Sequence, residues 1–495
     1  MRWAQQGSPS SHWTTALSDQ WYLVGLVSIF IAHLFLAVTL PPAEDELYYW
    51  TWSQSLSGSY FDHPPMVAWW ILFTTKLLGN GLLGIRFSAI LAHLFILFGL
   101  GTLSPNKNIL GLLLLTPLSL FGGILMSPDV PLLVFWFLYL RWALGLEERF
   151  APWGDDPVTR VYRKSPVGWG AWLKGGLLLG LGLLSKYTMA LAPFCLIILL
   201  FTRYRWKAWL PGFIFHLLIA LVLFSPVLFF NLKYQFRPLL FQWNHTQGSV
   251  PFSFLFTYLG NQTLLLGALP FLFLPWVIIS FSKFSRVPSF RALACFYLAP
   301  LLFFLFKATH HFLEANWGLV AYLAFWPIAT FLIEHSSFRL FTKTLVLTSF
   351  LAPLLVSGIA FVHLIRPLTI ISSHQDRIAK LRAQFDLSLK AASEIPPLSP
   401  VYLSSYQWTS YFRYLGLTQA FQLPNQGRES QYTLNPTSPC DFESVFLFTS
   451  SGSAVPDSLN CFKNHKTISE YPLIIRGAEH GKLTLTKFTN PKKAQ

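Results

Sequence analysis

Long apolar runs, separated by short polar segments, occupy the first three quarters of the chain. The first run, residues 21–40, holds about 20 residues without a lysine, arginine, aspartate or glutamate, which is enough to cross the hydrocarbon core of a bilayer. Similar runs recur as far as residue 364 and predict about eleven membrane-spanning helices. Their approximate bounds are 21–40, 82–103, 109–126, 129–146, 172–186, 188–202, 208–230, 254–281, 290–306, 316–334 and 342–364.

Residues 66–79 have apolar side chains at helical spacing but form too short a run to cross a bilayer. We interpret this segment as an amphipathic helix that lies on the membrane surface within the first loop.

The pattern changes at about Arg366, where long apolar runs give way to mixed polar sequence. Strands are predicted at 401–404 and 444–448, and helices at 374–392 and 406–415. We therefore expect an all-α polytopic membrane bundle followed by a small external α/β domain. The predicted domains are residues 1–365 and 366–495.

The composition agrees with a polytopic membrane protein. The chain is 53% hydrophobic and 12% charged, whereas a soluble globular protein carries about 25% charged residues. The net charge of +15 would indicate a nucleic-acid partner in a soluble protein. Here the basic residues fall mostly in short loops between apolar runs, so we assign them to membrane orientation and expect no nucleic-acid partner.

One alternating set of loops carries most of the lysines and arginines, which places that set in the cytoplasm. The opposite set includes the acidic first loop and, with an odd number of spans, the C-terminal domain. We therefore expect a bacterial inner-membrane protein whose first loop and C-terminal domain face the periplasm. That compartment is oxidising, so Cys440 and Cys461 can form a disulfide there. The basic residues are Lys107, Arg149, Arg160, Arg163, Lys164, Arg203, Arg205, Lys207, Lys283, Arg286, Arg291 and Arg339.

Carboxylates and cations from several loops are predicted to share the periplasmic side. Such a combination is typical of a site with an anionic substrate and acid–base chemistry. A sugar linked to a polyprenyl phosphate fits this description. A lysine or arginine would hold the phosphate leaving group, and a carboxylate would deprotonate the acceptor hydroxyl in a single inverting displacement.

Four motifs in these loops sharpen the prediction. In this order they resemble the motifs of bacterial protein-mannosyltransferase-like enzymes, which are GT-C glycosyltransferases related to the aminoarabinose transferase of lipid A. One departure is Gly318-Leu319-Val320, which stands where the family often has Pro-Ala-Pro. The motifs are Asp45-Glu46-Leu47-Tyr48-Tyr49-Trp50 with Tyr60-Phe61-Asp62-His63-Pro64-Pro65, Ser127-Pro128-Asp129-Val130-Pro131, Ser185-Lys186-Tyr187-Thr188 and Glu314-Ala315-Asn316-Trp317.

The resemblance implies a GT-C fold, a polyprenyl-phosphate-sugar donor and, in some members, a divalent metal ion. It implies that Asp45 is the catalytic base, with Glu46 and Asp129 as supporting carboxylates. No metal ligands can be named, because the His310-His311 pair lacks a complete ligand set. The acceptor, a lipid, a glycan or a protein, stays open. The residues expected to contact substrate are Lys186, Arg237 and Lys307 at the donor phosphate, and Tyr60, His63, Tyr187 and Asn316 elsewhere.

Two other classes of function remain open at this point. A lipid or solute transporter, or flippase, of the cell envelope predicts charges deep in the bundle and paired broken helices. A non-catalytic scaffold for polysaccharide assembly predicts that replacing Asp45 has no effect.

Overall fold

The computed structural model describes residues 12–104, 106–150, 167–201, 206–245, 252–284 and 287–491. Within these residues the chain is mostly helical and ends in a five-stranded sheet. The first helices are α1 (His12–Thr39), α2 (Glu44–Ser53), α3 (Met66–Leu78), α4 (Leu82–Leu103), α5 (Asn108–Leu114), α6 (Pro117–Leu120), α7 (Asp129–Phe150), α8 (Trp169–Leu183), α9 (Leu191–Phe201) and α10 (Trp206–Lys233).

The second half continues the helical pattern before the sheet begins. The helices are α11 (Arg237–His245), α12 (Ser253–Leu266), α13 (Leu269–Leu272), α14 (Leu274–Phe284), α15 (Pro288–Ala308), α16 (Leu319–Glu334), α17 (Arg339–Ile365), α18 (Arg377–Ser393) and α19 (Tyr406–Tyr414). The strands are β1 (Val401–Leu403), β2 (Ala420–Gln422), β3 (Ser444–Ser450), β4 (Phe462–Ile475) and β5 (Ala478–Pro491).

Six of the described helices are long and apolar enough to cross a membrane, so the chain is a multi-pass membrane protein. They contain the segments Asp19–Thr39, Leu82–Leu103, Asp129–Arg149, Trp206–Lys233, Ser289–Ala308 and Leu340–Ile365. Some predicted loop residues fall outside the described part of the chain. These are Arg160, Arg163, Lys164, Arg203, Arg205 and Arg286, together with the side chain of Arg339.

Two predicted continuous spans are divided in the structure. The span predicted at 109–126 is α5, α6 and a short 3₁₀ helix, and α6 begins at Pro117 with the Thr116 side chain as its N-cap. The span predicted at 254–281 is α12, α13 and α14. Gly267, with a φ of +93°, ends α12, and Pro270 lies in the first turn of α13. Proline lacks the N–H that a continuing helix requires.

The described structure divides into two compact units. We call the first the helical unit; it comprises Met1–Leu36, His63–Val67 and Phe87–Phe361. We call the second the sheet unit; it comprises Ala37–Asp62, Ala68–Arg86 and Val362–Gln495. The sheet unit therefore contains most of the predicted first loop as well as the C-terminal region.

Glycines allow close packing of α8 against α10 in the helical unit. A Cβ atom added at Gly176 would lie 2.6 Å from the His216 carbonyl oxygen, and one added at Gly180 would lie 2.7 Å from Leu223. Small residues at helix contacts are a common solution in membranes, where close van der Waals packing drives association. Helix α8 also packs against α7. Asp129 is the first residue of α7, and Lys186 follows shortly after the end of α8.

The sheet has the strand order β2-β1-β3-β5-β4. Strands β2, β1 and β3 are parallel, whereas β3, β5 and β4 are antiparallel. The predicted strands at 401–404 and 444–448 are confirmed as β1 and β3, and the predicted helices as α18 and α19. A disulfide joins Cys440 to Cys461. The buried core under the sheet consists of Tyr402, Leu423, Val445, Leu447, Leu459, Phe462 and Phe488.

The hairpin of β4 and β5 was not predicted from the sequence. Most β4 side chains are exposed, so the strand lacks the apolar alternation by which strands are recognised. The signal that remains is the turn, where Arg476 and Gly477 have φ values of +52° and +82°. Two consecutive residues with positive φ are typical of the tight turn that joins antiparallel strands.

Candidate active site

The first site cluster begins where α2 starts, and we call it the first-loop cluster. Pro41 and Pro42 precede the extended residue Ala43, and Glu44, Asp45 and Glu46 then form the first turn. Acidic side chains are favourable at a helix N-terminus because the N–H groups there lack helical partners. The Glu46 carboxylate accepts the Ala43 N–H at 3.0 Å. The order of residues in this motif therefore encodes a fixed helix start.

A buried arginine holds this helix start in place. The Arg86 guanidinium contacts the Glu46 carboxylate through Nε at 3.0 Å and Nη2 at 2.7 Å. Its other N–H groups donate to the carbonyl oxygens of Ala37, Leu40 and Pro41, at 2.8–2.9 Å. Arg86 is fully buried and Glu46 is 2% exposed. All five guanidinium donors are thus satisfied, and the end of α1 is tied to α2.

Asp62 ends the first-loop motif and is also bound on both oxygens. Tyr48 donates its hydroxyl to Asp62 Oδ2 at 2.8 Å, and Arg428 Nη1 donates to Oδ1 at 2.6 Å. The Gln431 backbone N–H donates to the Tyr48 hydroxyl, and the Gln431 side chain accepts the Phe61 N–H. Residues 428–431 therefore hold both ends of the loop that joins α2 to Asp62.

Tyr60 shapes the same loop. Its ring stacks on Trp52 with the centroids 4.5 Å apart, and its hydroxyl donates to the Trp52 carbonyl at 2.9 Å. The same hydroxyl accepts the Ser57 N–H. Tyr60 is 2% exposed. In this arrangement the hydroxyl is engaged by the loop's own backbone.

Asp45 is the exposed carboxylate of the first-loop cluster. Tyr406 in α19 donates its hydroxyl to Asp45 Oδ1 at 2.9 Å. Within the described residues, no hydrogen bond to Asp45 Oδ2 is formed. The Arg428 guanidinium lies 4.1 Å from the centre of the Tyr406 ring, while it also binds Asp62. Arg428 and Tyr406 therefore orient Asp45 but leave one of its oxygens open.

The local environment sets the protonation of these groups. Burial raises the pKa of the Asp62 carboxyl above its ordinary value, although Arg428 and the Tyr48 hydroxyl oppose this rise. Burial and the Asp45 charge raise the pKa of Tyr406, and burial and Asp62 raise that of Tyr48. Both tyrosines therefore stay protonated at neutral pH. Each hydroxyl is thus available as a donor to its carboxylate.

A second cluster lies in the helical unit, and we call it the Asp129 cluster. Asp129 is the first residue of α7, and Lys186 directly precedes the 3₁₀ helix Tyr187–Ala190. The Lys186 ammonium contacts both carboxylate oxygens of Asp129 at 2.8 Å. Asn316 donates its side-chain amide to Asp129 Oδ2 at 2.6 Å. Three of the residues predicted from separate motifs are therefore in direct contact.

Gln262 supports the segment that carries Asn316. Its amide donates to the Ala315 carbonyl at 2.6 Å, and its side-chain oxygen accepts the Tyr322 hydroxyl at 2.9 Å. Gln262 and Tyr322 are 1% and 3% exposed. Two buried polar side chains that satisfy each other fix the neighbouring backbone. Asn316 is therefore held towards Asp129 from a rigid segment.

An apolar groove of about 340 Å³ follows the Lys186 motif. Its walls are formed by α8, α9 and α10, with Leu183, Phe194 and Leu221 among the lining side chains. Tyr187 contacts Phe224, another lining residue, edge to face. The groove therefore begins beside the residue that follows Lys186. Its lining suits an alkyl or isoprenoid chain.

The other residues predicted to contact substrate differ in their location and exposure. Arg237 is exposed and is the first residue of α11, whereas Lys307 is half-buried in the last turn of α15. Among the described residues, no ion pair joins Lys307 to a carboxylate. His63 is half-buried in the helical-unit segment His63–Val67.

The family resemblance implies a divalent metal ion in some members. Among them, no three His, Cys, Asp or Glu side chains are grouped so that they could hold a metal ion. Each buried carboxylate of the two clusters already faces an arginine or a lysine. The described residues therefore do not supply a complete set of protein ligands for a metal ion.

Sequence reasoning missed several residues that organise the first-loop cluster. A signal existed for Arg86, because it is a lone charge at the start of a predicted span, and such charges are rare without a partner. The helix that carries Tyr406 was predicted, but the contact of Tyr406 with Asp45 was not. The neighbourhood of Gln431 belongs to the family resemblance, but no local pattern indicates its contact with Phe61, 370 positions away, or that of Arg428 with Asp62, 366 positions away.

Comparisons with known proteins agree with these motifs. Residues 159–230 match the family described as dolichyl-phosphate-mannose-protein mannosyltransferase. The lipid A galacturonosyltransferase RgtD of Rhizobium johnstonii is 27% identical over 347 residues, which span 67% of this chain and 66% of the relative. The crystal structure of ArnT from Cupriavidus metallidurans in the apo state superimposes with a TM-score of 0.63 at 13% identity, and covers 94% of this chain and 98% of ArnT.

These matches support the resemblance of this chain to the protein-mannosyltransferase-like family of bacterial GT-C glycosyltransferases. A second structure of the same ArnT, bound to undecaprenyl phosphate, superimposes with a TM-score of 0.62 at 12% identity, over 94% of this chain and 98% of ArnT. The comparisons support the family resemblance found in the four motifs, and the structure confirms the mostly helical membrane architecture and the small C-terminal sheet domain. The findings favour a membrane glycosyltransferase over the transporter.

Proposed function

We propose that this GT-C family member moves a sugar from a polyprenyl-phosphate donor to an acceptor on the periplasmic face, with Asp45 as the base. The observation that carries the proposal is the arrangement of the first-loop cluster. Glu46 and Asp62 are buried and bound to arginines, while Asp45 is exposed and keeps an oxygen open. A general base requires a carboxylate in this state.

The Asp129 cluster and the groove support a donor site. The polyprenyl chain would lie in the apolar groove, with its phosphate towards Lys186. A lysine that faces a carboxylate can exchange that partner for a phosphate, because the ammonium binds oxygen anions without a fixed geometry. Arg237 and Lys307 are proposed as further phosphate contacts, and Tyr187 and Asn316 as contacts to the sugar or the phosphate. The ArnT structure bound to undecaprenyl phosphate supports this class of donor.

The proposed reaction is a single displacement. The acceptor oxygen attacks the anomeric carbon, and its proton passes to the open oxygen of Asp45. The bond between the anomeric carbon and the phosphate oxygen breaks, and the electron pair leaves with polyprenyl phosphate. Lys186 balances the negative charge that develops on this leaving group. Attack from the face opposite to the phosphate inverts the anomeric carbon.

The other predicted first-loop residues take supporting roles in this proposal. Glu46 and its partner Arg86 position the start of α2, and Tyr60 shapes the loop that follows. Asp129 holds Lys186 before the donor binds. His63 is retained as a proposed substrate contact. A divalent metal ion is not assigned a step.

The finer topology also belongs to this proposal. We retain eleven spans, an inner-membrane location, and a periplasmic first loop and C-terminal region. The proposed domain boundary lies between residues 365 and 366.

A lipid acceptor is favoured over a glycan or a protein, because RgtD is a lipid A galacturonosyltransferase. Membrane lipids are the remaining expected partners.

A transfer assay with the purified full chain tests the proposed function. The protein is incubated with labelled polyprenyl phosphates carrying galacturonate, aminoarabinose or mannose, and with lipid A as acceptor. We expect one of these donors to add a single sugar mass to the lipid, detected by mass spectrometry. Movement of donor across a reconstituted bilayer without any sugar transfer would contradict the proposal and favour a transporter.

A further inference from the structure

A second cavity, of about 250 Å³, lies entirely within the sheet unit. It is bounded by the end of α17, the first turns of α18 and the end of β4. Part of its wall is apolar, with Leu364, Ile378 and Ile474. Two arginines, Arg382 and Arg476, also line it. The mechanism proposed above uses none of these residues.

Arg476 is held in place by its surroundings. Its backbone has a φ of +52°, and its Nη1 donates to the Ile371 carbonyl at 2.5 Å and to Asp376 Oδ2 at 3.5 Å. A non-glycine residue in this conformation is kept there only by its neighbours. The other guanidinium nitrogens of Arg476 have no hydrogen-bond partner among the described residues. They are available to a ligand.

Asp376 is the buried carboxylate beside this arginine, and it is already satisfied. Its Oδ2 accepts the His363 Nε2–H at 2.9 Å, and its Oδ1 accepts the Ala379 N–H at 2.9 Å. The Leu368 backbone N–H donates to His363 Nδ1, which fixes the tautomer of this ring. Asp376 is 3% exposed. It therefore serves to hold Arg476 and the start of α18.

Arg382 supplies the second guanidinium. In the described part of the chain its hydrogen bond is a long one, 3.4 Å from Nη2 to the Thr39 carbonyl. Asp386 also lines the cavity and is exposed one helical turn further along α18. Two arginines, Arg382 and Arg476, and two aspartates, Asp376 and Asp386, therefore line the cavity, and Asp376 is already engaged by His363 and the Ala379 N–H.

The cavity adjoins the end of a candidate membrane span. That span, Leu340–Ile365, ends at the cavity wall. Three isoleucines of the adjoining segments are strongly exposed: Ile365 at 72%, Ile370 at 85% and Ile474 at 52%. Large exposed aliphatic side chains next to the end of a span are suited to the boundary between headgroups and acyl chains.

We propose that this cavity binds the phosphate of an anionic membrane lipid. Arg382 and Arg476 would bind the phosphate oxygens, since the guanidinium group matches phosphate geometry. The apolar wall would contact the glycerol and the first methylene groups. A bound lipid would hold the start of α18 and the β4–β5 turn at the membrane surface. This lipid is separate from the sugar donor and does not depend on the glycosyltransferase reaction.

Native mass spectrometry of the full chain in a nonionic detergent tests this proposal. The probes are phosphatidylglycerol and phosphatidylcholine with the same acyl chains, offered at equal concentrations. We expect the wild type to retain phosphatidylglycerol preferentially. The Arg382→Gln variant should weaken this binding about tenfold, because a charge-assisted phosphate contact is lost.

A matched variant separates this site from other basic residues. Lys463→Gln removes an exposed charge on β4. It should retain phosphatidylglycerol as the wild type does. Equal retention by Arg382→Gln and the wild type would overturn the proposal. Complete displacement of the lipid by millimolar inorganic phosphate would also overturn it, because the site would then recognise free phosphate.

Discussion

The first-loop cluster and the Asp129 cluster use their carboxylates in different ways. In the first-loop cluster, arginines hold Glu46 and Asp62, and Asp45 alone of these three is exposed. In the Asp129 cluster, one carboxylate and one lysine face each other, with side-chain exposures of 10% and 11%. The first arrangement presents an exposed anion, whereas the second holds a cation against an anion.

The choice of cation in each cluster fits this difference. Arg86 makes contacts in several fixed directions, and Arg428 binds Asp62 while its guanidinium lies over the Tyr406 ring. A planar guanidinium suits permanent contacts of this kind. Lys186 makes a point contact to Asp129 from a flexible side chain. We infer that arginines are used where the geometry must persist, and the lysine where a partner is exchanged during the reaction.

The largest expected effect on stability comes from breaking the buried arginine pair. Arg86→Met leaves Glu46 charged and buried without its partner, so we expect unfolding to become easier by about 3–5 kcal/mol. Calorimetry of the detergent-solubilised protein measures this loss. Arg377→Met is the matched control, because Arg377 is 67% exposed where it contacts Glu44. An exposed pair contributes less than about 1 kcal/mol.

A double replacement sharpens the same comparison. Arg86→Met combined with Glu46→Met removes both buried charges, so it should recover part of the stability lost in the single variant. If the single Arg86→Met protein were as stable as the Arg377→Met control, the first-loop cluster would not depend on this pair.

A substitution in the Asp129 cluster is expected to alter the binding of the donor substrate. Lys186→Gln removes the cation proposed for the donor phosphate, so we expect the KM for donor to rise about 10- to 100-fold while the KM for acceptor stays constant. Steady-state kinetics at varied donor concentration measures the change. Lys174→Gln, an exposed position on α8, is the control. A Lys186→Gln enzyme with an unchanged donor KM would remove Lys186 from the donor site.

The smallest expected effect is a pH-dependent loss of stability in an Arg428 variant. Arg428 opposes the rise that burial causes in the pKa of Asp62, so Arg428→Gln should raise that pKa further. A carboxyl whose pKa is higher in the folded state loses stability as the pH rises through that pKa. The variant should therefore be least stable relative to wild type above the pKa that Asp62 has in the variant, and the difference should narrow as the pH is lowered through that pKa.

Arg413→Gln provides the control for this pH series. Arg413 lies over the Tyr432 ring and donates to the Ala420 carbonyl. Arg413→Gln should therefore lower the free energy of unfolding by the same amount at each pH. Parallel melting curves for the two variants would show that the ionisation of Asp62 does not govern the contribution of Arg428.

Much of the architecture was predictable because it follows from local pattern. The helices and the membrane class came from apolar runs of known length, and the family from the long first-loop motif. The breaks within two predicted spans were not predicted from the apolar runs. One break depends on Thr116-Pro117, and the other depends on Gly267 with Pro270. The β4–β5 hairpin was missed because its exposed side chains carry no alternation.

The candidate site was also predictable in part, because some of its residues lie in local sequence motifs. Asp45, Asp129, Lys186 and Asn316 lie in short motifs that a sequence displays directly. The contacts of Arg428 and Gln431 with the first loop join residues hundreds of positions apart, and no local pattern encodes such pairing. The sequence therefore indicated which residues carry charge in the loops but not which of those charges are already neutralised.

The Asp45→Asn variant tests the central claim most directly. Asparagine keeps the size of the side chain and can still accept the Tyr406 hydrogen bond, but it cannot take the acceptor proton. We predict that kcat for sugar transfer falls by about 10²–10⁴-fold while donor binding, measured by isothermal titration calorimetry, stays within about twofold of wild type. Wild-type turnover by Asp45→Asn in the purified assay would contradict the account.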